Sequence, residues 1–111
     1  MQQFHQVLPI SRDDALIALA SGDSEQICKA LVSVAFHESD WRWAQEKCLE
    51  LLENDDADVS GLAATCLGHI ARVQKKLDKE RVLTALRQRL VYGGDIAGRI
   101  EDAIDDIEMF A

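Results

Sequence analysis

Carboxylates are the side chains in this sequence with the clearest chemical potential, and they fall into two groups. The first group lies on the last predicted helix and consists of Glu101, Asp102, Asp105 and Asp106. Their spacing of four residues places like charges in two adjacent rows on one helix face, at a cost of a few tenths of a kcal/mol per pair. The second group surrounds a predicted break between helices and consists of Asp55, Asp56 and Asp58. Such clusters can hold a metal ion, transfer protons or attract a basic partner.

Metal binding and catalysis are not supported by the spacing of the candidate ligands. No Glu is followed by a His three residues later, as di-iron bundles require, and the segment 54–58 lacks the glycine and glutamate of a calcium loop. The three cysteines contain no C-x-x-C pair, and Cys48 and Cys66 fall on apolar stripes, where a free thiol acts as a small hydrophobe. We therefore predict a protein that is not an enzyme and has no metal, cofactor or small-molecule substrate.

The charge balance excludes several classes of partner. The chain of 111 residues has 12 Lys and Arg against 20 Asp and Glu, a net charge of -8, which argues against binding to a phosphate backbone. No apolar run is long enough to cross a membrane, and Met1–Gln6 carries no secretory pattern, so we expect a cytoplasmic protein. The charge is uneven, because Arg72–Arg89 has a balance of +5 and the remainder therefore carries -13. The expected partner is a basic protein.

The elements that must position these side chains are helices. The chain is rich in Ala and Leu, has one proline, and contains six segments with apolar residues at intervals of three and four, which predicts a single all-α domain over residues 1–111. The stop at Tyr92-Gly93-Gly94 is the strongest of the helix ends. The predicted caps are Ser11, Asp23, Ser39 or Asp40, Asp58, Asp78 and Asp95.

An internal repeat relates the fourth and sixth segments. A shift of 37 residues places Asp58 on Asp95 and Gly61 on Gly98, and a weaker shift of 35 relates the second segment to the fourth. Repeating helix pairs of this length predict a short α-solenoid of three antiparallel pairs. The repeated small residues are expected to allow close helix approach; they are Gly61, Ala63, Ala64, Ala97 and Gly98.

The shift of 37 residues also places His69 on Asp106, which predicts that both face the same surface of the solenoid. The alternative is a partly buried histidine bonded to a backbone carbonyl. Trp41 and Trp43 are two residues apart and therefore diverge by about 200° around a helix, so we expect one of them to be exposed as an interface anchor. Packing against the preceding helix pair or the N-terminal segment with Phe4, Val7, Leu8 and Ile10 is the alternative.

The segment from Asp58 to Arg72 resembles the second helix of a HEAT repeat, which begins with an acidic cap and Val and then carries paired alanines and Leu-Gly. The segment from Asp95 to Ile107 is similar to the same helix, and the resemblance covers residues 39–111. Small bacterial proteins of this kind include some that are similar to immunity proteins of contact-dependent and other polymorphic toxin systems. The resemblance implies three HEAT-like helix pairs and a function in protein binding.

Two functions follow from this resemblance and the charge pattern. The first is an immunity protein that neutralises a cognate bacterial toxin domain, for example a basic nuclease, through the acidic groups, His69 and a tryptophan anchor. The second is a HEAT-like scaffold or regulatory adaptor for an endogenous protein. The acidic rows also have a simpler interpretation, as a solvated helix face that keeps a small protein soluble.

Overall fold

Six α-helices make up most of residues 7–111, the part of the chain that the computed structural model describes. They are α1 (Arg12–Leu19), α2 (Ser24–His37), α3 (Trp41–Leu52), α4 (Ala57–Gln74), α5 (Lys79–Leu90) and α6 (Ala97–Phe110). Residues 7–111 contain no β-strand, so the predicted all-α class is confirmed. Phe4 and the secretory pattern sought in Met1–Gln6 lie outside the described residues. Between residues 7 and 111, no helix combines the length and the hydropathy needed to span a bilayer.

The first three helices begin at residues that the sequence predicts as caps. The Ser11 hydroxyl accepts a hydrogen bond from the Asp14 backbone N–H at 3.1 Å, and the Asp23 carboxylate accepts one from Glu25. At the third helix the cap is Asp40, whose carboxylate accepts from the Trp43 N–H at 3.2 Å. Each cap satisfies a backbone donor that the first helical turn leaves without a partner.

The fourth helix begins two residues earlier than predicted, and its cap is Asp56 instead of Asp58. The Asp56 carboxylate accepts hydrogen bonds from the backbone N–H groups of Asp58 at 2.8 Å and Val59 at 3.4 Å. The preceding Asn54 side chain accepts from the Asp56 N–H at 2.8 Å and so holds the backbone at the helix entrance. Asp58 is therefore a residue of the first turn, and its carboxylate is not used as a cap.

The last two helices begin without a side-chain cap. Asp78 precedes α5 as predicted, but its carboxylate accepts from the amide of the buried Gln45 in α3 at 2.8 Å. The predicted cap Asp95 lies inside a 3-10 turn, Gly94–Ile96, and α6 begins after it. Gly94 has φ +53°, a conformation that glycine adopts without strain, which explains why the chain turns there.

Helix α4 lies in the middle of the fold. It packs against α2, α3 and α6, while α1 packs on α2 and α5 packs on α6. The core contains completely buried side chains from α3 to α6, including Leu52, Leu67, Leu86 and Ile107. The molecule measures 31 × 29 × 28 Å, so the stack of helices is about as wide as it is long.

Glycines of α4 allow α6 to approach closely. A methyl group added at Gly61 would lie 3.1 Å from the Ile96 side chain, and one added at Gly68 would lie 3.3 Å from the Ala103 backbone. Gly61 therefore lies beside the start of α6 and Gly68 beside its middle, so the two helices run parallel. The same role predicted for Gly98 is wrong, because nothing lies within 4 Å of an added methyl group there.

This difference between glycines predicts opposite effects on stability. Gly68→Leu should lower the free energy of unfolding by about 1–3 kcal/mol, because the added side chain has no space between α4 and α6. Gly98→Ala should raise it by up to about 1 kcal/mol, because alanine is the better helix former and meets no neighbour. Urea unfolding followed by circular dichroism measures both. Equal effects of the two substitutions would contradict the assigned helix contact.

Candidate partner-binding face

Four side chains from three helices form a continuous row across one face of the molecule. The rings of Phe36 in α2 and His69 in α4 are stacked, with centroids 4.3 Å apart and 11° between their planes. The Arg72 guanidinium lies 3.4 Å from His69 Nδ1 on one side and 2.5 Å from the Asp106 carboxylate of α6 on the other. We call these four residues the cross-helix row.

The row follows from helical spacing and from the parallel packing of α4 and α6. His69 and Arg72 are three residues apart and so lie on one face of α4. Gly68, next to His69, contacts Asp106 in the neighbouring helix. The expectation that His69 and Asp106 share a surface is thus confirmed, with Arg72 as the link between them.

The surroundings of His69 favour its neutral form. Partial burial lowers the pKa of His69, and the neighbouring charge of Arg72 lowers it further. A neutral ring leaves Nδ1 as an acceptor for the Arg72 N–H. The geometry and the direction of the pKa shift therefore agree.

A surface pocket of about 440 Å³ lies beside the cross-helix row. Its walls come from α4 and α6 and consist of Thr65, Arg72, Arg99, Asp102, Ala103, Asp105 and Asp106. Asp102 and Asp105 are exposed and have no ion-pair partner within residues 7–111, and the same holds for Glu101 outside the pocket. Asp106 differs, because it is half-buried and paired with Arg72. The predicted acidic set on α6 therefore contains three free carboxylates and one that is part of the row.

Three arginines of the basic segment form ion pairs on the surface of the fold. Arg72 pairs with Asp106, Arg81 pairs with Glu46, and Arg87 pairs with Glu108 at 2.9 Å. In addition, the Arg89 guanidinium donates to the backbone carbonyl of Leu52 at 3.1 Å. These contacts engage arginines whose positive charge would otherwise be available to the free carboxylates of α6.

The second acidic group lies at a different position along the axis of α4 from the pocket between α4 and α6. Because α4 and α6 are parallel, Asp58 lies about 10 Å along the helix axis from Thr65, which lines the α6 pocket. Arg99 stands between the two groups, since its guanidinium lies 2.8 Å from the position of a methyl group on Gly61. The acidic groups are thus two separate patches with a cation between them.

Within the second group, Asp56 has a structural role. The Ser24 hydroxyl of α2 donates to the Asp56 carboxylate, which also caps α4. The bond from Ser24, followed by the Asp58 backbone N–H, holds the pKa of Asp56 below its ordinary value. Asp55 and Asp58 remain exposed.

The expectation that one tryptophan is exposed is wrong, because both are half-buried against the core. The Arg12 guanidinium covers Trp43 at 4.8 Å from the ring centroid and is itself held by Glu38 at 3.0 Å. Trp43 lies in a small pocket with Pro9 and Ile10, consistent with the alternative of packing against the N-terminal segment. Trp41 is covered by Arg42 at 4.5 Å. The cover of Trp43 comes from Arg12, which is distant in sequence, so helical periodicity does not reveal it.

Phe36 and Arg72 are the residues of this face that sequence reasoning did not select. Phe36 is an isolated aromatic at the end of α2, and in the sequence Arg72 stands out only as the first residue of the basic segment 72–89. One sequence signal points to this region, because the 37-residue shift that relates α4 to α6 places Val73 on Phe110. An apolar residue thus recurs near the ends of α4 and α6, and Phe36 lies near the end of α2.

No family model matches the chain, and no curated protein matches it. A solved structure does match over nearly the full length of both chains. A chain in the crystal structure of the CDI complex from Cupriavidus taiwanensis LMG 19424 has a TM-score of 0.84 and 31% sequence identity, covering 99% of this chain and 98% of that chain. The protein belongs to the same family as that chain of the CDI complex. Both the fold similarity and the sequence identity support the shared family, because the match covers nearly the whole length of both chains.

The lowered pKa of His69 predicts a pH-dependent loss of stability. Below its ordinary pKa of 6.5, the unfolded chain takes up a proton at this position before the folded chain does, so stability falls as the pH drops from about 7.5 to about 5.5. His69→Phe keeps a ring against Phe36 and removes the titrating group, so its stability should fall less over the same range. Urea unfolding at the two pH values measures this difference. Parallel losses in both proteins would contradict the assignment.

Proposed function

We propose that this chain is the immunity protein of a contact-dependent growth inhibition system and neutralises its cognate toxin domain by direct binding. The observation that carries the proposal is the match over the full length of both chains to a chain of a CDI complex. Such systems pair a toxin domain with an immunity protein, as the resemblance noted from the sequence implies. The net charge of -8 suits the partner of a basic toxin.

The immunity role fits this chain better than the toxin role. Within residues 7–111 no group of three or more His, Cys, Asp or Glu side chains is arranged to hold a metal ion. The hydrogen bond with Cys66, followed by burial, raises the pKa of the Cys48 thiol, which also disfavours a reactive thiolate. We therefore propose that the protein acts by binding and not by catalysis, in the cytoplasm where a toxin would meet its target.

The proposed architecture is a short solenoid of three HEAT-like pairs, α1–α2, α3–α4 and α5–α6. Its support is the contact pattern, in which the two helices of each pair pack together and α4 lies against both α2 and α6. In this arrangement the second helices of the three pairs, α2, α4 and α6, form one layer. The cross-helix row crosses that layer and would lie on the surface offered to the partner.

The free carboxylates of α6 are the proposed electrostatic part of the interface. Asp102, Asp105 and Glu101 are exposed, and the first two line a pocket of about 440 Å³ large enough for a protein side chain. Charges at the edge of an interface mainly raise the association rate and select among partners. The exposed carboxylates of Asp55 and Asp58 would add a second, weaker region of negative potential.

Co-expression with the domain encoded immediately upstream of this gene tests the proposal. The two proteins should co-purify as a stable complex, and this chain should restore growth to cells that produce the upstream domain. Absence of both results would overturn the immunity role. Recovery of an endogenous protein in place of the upstream domain would overturn it too, in favour of a scaffold or adaptor.

The electrostatic part of the interface has its own test. The double variant Asp102→Asn with Asp105→Asn should associate with the toxin domain about 3–10 times more slowly at low salt, because two free carboxylates are lost from the interface. At high salt the difference should shrink, since screening removes the attraction in the parent protein as well. Stopped-flow or surface plasmon resonance measurements give the rate constants.

A matched control variant is Asp13→Asn with Asp14→Asn, which makes the same change in net charge on α1. Both control residues are exposed and lie in the first turn of α1, which packs on α2. An equal reduction in rate for both double variants would show that only net charge matters, and would contradict an interface on α6.

A further inference from the structure

Two large apolar side chains remain exposed at the cross-helix row, one within it and one beside it. Phe36 is 47% exposed and Val73 is 56% exposed. His69 lies next to both, because its ring stacks on Phe36 and it precedes Val73 by one helical turn. We call Phe36, His69 and Val73 the apolar patch.

The patch is a rigid surface before any partner arrives. Stacking on His69 restricts the Phe36 ring, and the Arg72 contact at 3.4 Å in turn restricts His69. An aromatic side chain held in this way loses little conformational freedom on binding, which is a property of residues that contribute most to interfaces. The side chain is therefore suited to serve as an anchor.

The position in α6 that is equivalent to Val73 has different surroundings. Phe110 follows Val73 by 37 residues, yet it is half-buried, and the Lys75 ammonium covers its ring at 4.4 Å from the centroid. Lys75 reaches this place from a left-handed backbone conformation with φ 58° at the end of α4. The fold thus covers Phe110 and leaves Phe36 and Val73 open to solvent.

The charged side chains near Phe36 and Val73 indicate what kind of partner surface would cover these two exposed residues. Moving from the patch towards α6, the first side chains are the paired Arg72 and Asp106. Asp102 and Asp105 follow, without an ion-pair partner within the described residues, and Arg99 lines the same pocket, so carboxylates outnumber guanidinium groups there by three to two. A complementary partner therefore presents an apolar side chain with Lys or Arg beside it. An apolar centre bordered by charge is the usual arrangement of a protein interface.

We propose that the apolar patch is the anchor site for the toxin domain, with an apolar toxin side chain packed on Phe36 and Val73 and a neighbouring basic side chain directed to Asp102 and Asp105. This inference rests on the immunity function proposed above and adds the position of the main contact.

The test is the affinity of the full-length protein for the upstream-encoded toxin domain. Phe36→Ala and, separately, Val73→Ser should each raise the dissociation constant, by about tenfold or more for Phe36→Ala. Val73→Ser leaves the Phe36–His69 stack in place, so it reports on the patch even if Phe36→Ala alters the local structure. Isothermal titration calorimetry measures the affinities, and circular dichroism melts confirm that the variants fold.

The matched control is Val91→Ser, which removes the same apolar group from a valine that is 87% exposed at the end of α5. Its affinity should equal that of the parent protein. If the parent protein binds the toxin but neither patch variant weakens binding by more than twofold, the anchor site is wrong and the immunity function stands. Failure of the parent protein to bind would overturn the function and the anchor site together.

A second copy of this chain is the other occupant that the experiment must distinguish. Light scattering after gel filtration would then show a dimer that Phe36→Ala converts to a monomer, with the toxin affinity unchanged. That result would overturn the anchor site.

Discussion

The close packing of α4 against its neighbours is the constraint on which the rest of this structure depends. Helix α4 contacts α2, α3 and α6, and its glycines at positions 61 and 68 let α6 lie against its backbone. Without a side chain at these positions, the two helices approach in parallel and in one register. That register places Gly68 beside Asp106 and so brings Arg72 within 2.5 Å of the same carboxylate.

The register also decides which charges stay free. Arg72 neutralises Asp106, while Asp102 and Asp105, on the same helix and of the same type, have no ion-pair partner in residues 7–111. At the other end of α4, Asp56 caps the helix and accepts a bond from Ser24, and Asp55 and Asp58 remain exposed. In a chain with a net charge of -8, the exposed carboxylates thus form two defined acidic patches with Arg99 between them. The chain carries these charges at a cost in self-repulsion, which a basic partner would relieve.

An interface needs an apolar centre as well as charge, and here the structure differs most from the sequence expectation. The tryptophans, which are candidate anchors in the sequence, are covered by arginines and packed against the core. Phe36 and Val73, which carry no such signal alone, are exposed, and His69 and Arg72 connect Phe36 to the pocket between α4 and α6. The proposed immunity function gives this face a candidate partner class, a toxin domain.

The features that the sequence determined are those set by neighbours close along the chain. Helical composition, the intervals of three and four, and caps such as Ser11, Asp23 and Asp40 act within one or two turns, so most helix bounds could be predicted. The two misplaced starts have local causes that are harder to recognise, an Asn54 turn before α4 and a 3-10 turn before α6.

Only the tertiary structure decided which side chains are free to bind. The contacts that settle this join residues far apart in sequence, such as Ser24 with Asp56, Arg12 with Glu38, and Arg72 with Asp106. Periodicity gives the face of a helix on which a residue lies, but it does not give the side chain that a neighbouring helix places over it. For that reason the acidic rows were visible in the sequence, while the half-buried tryptophans and the exposed Phe36 were decided by packing.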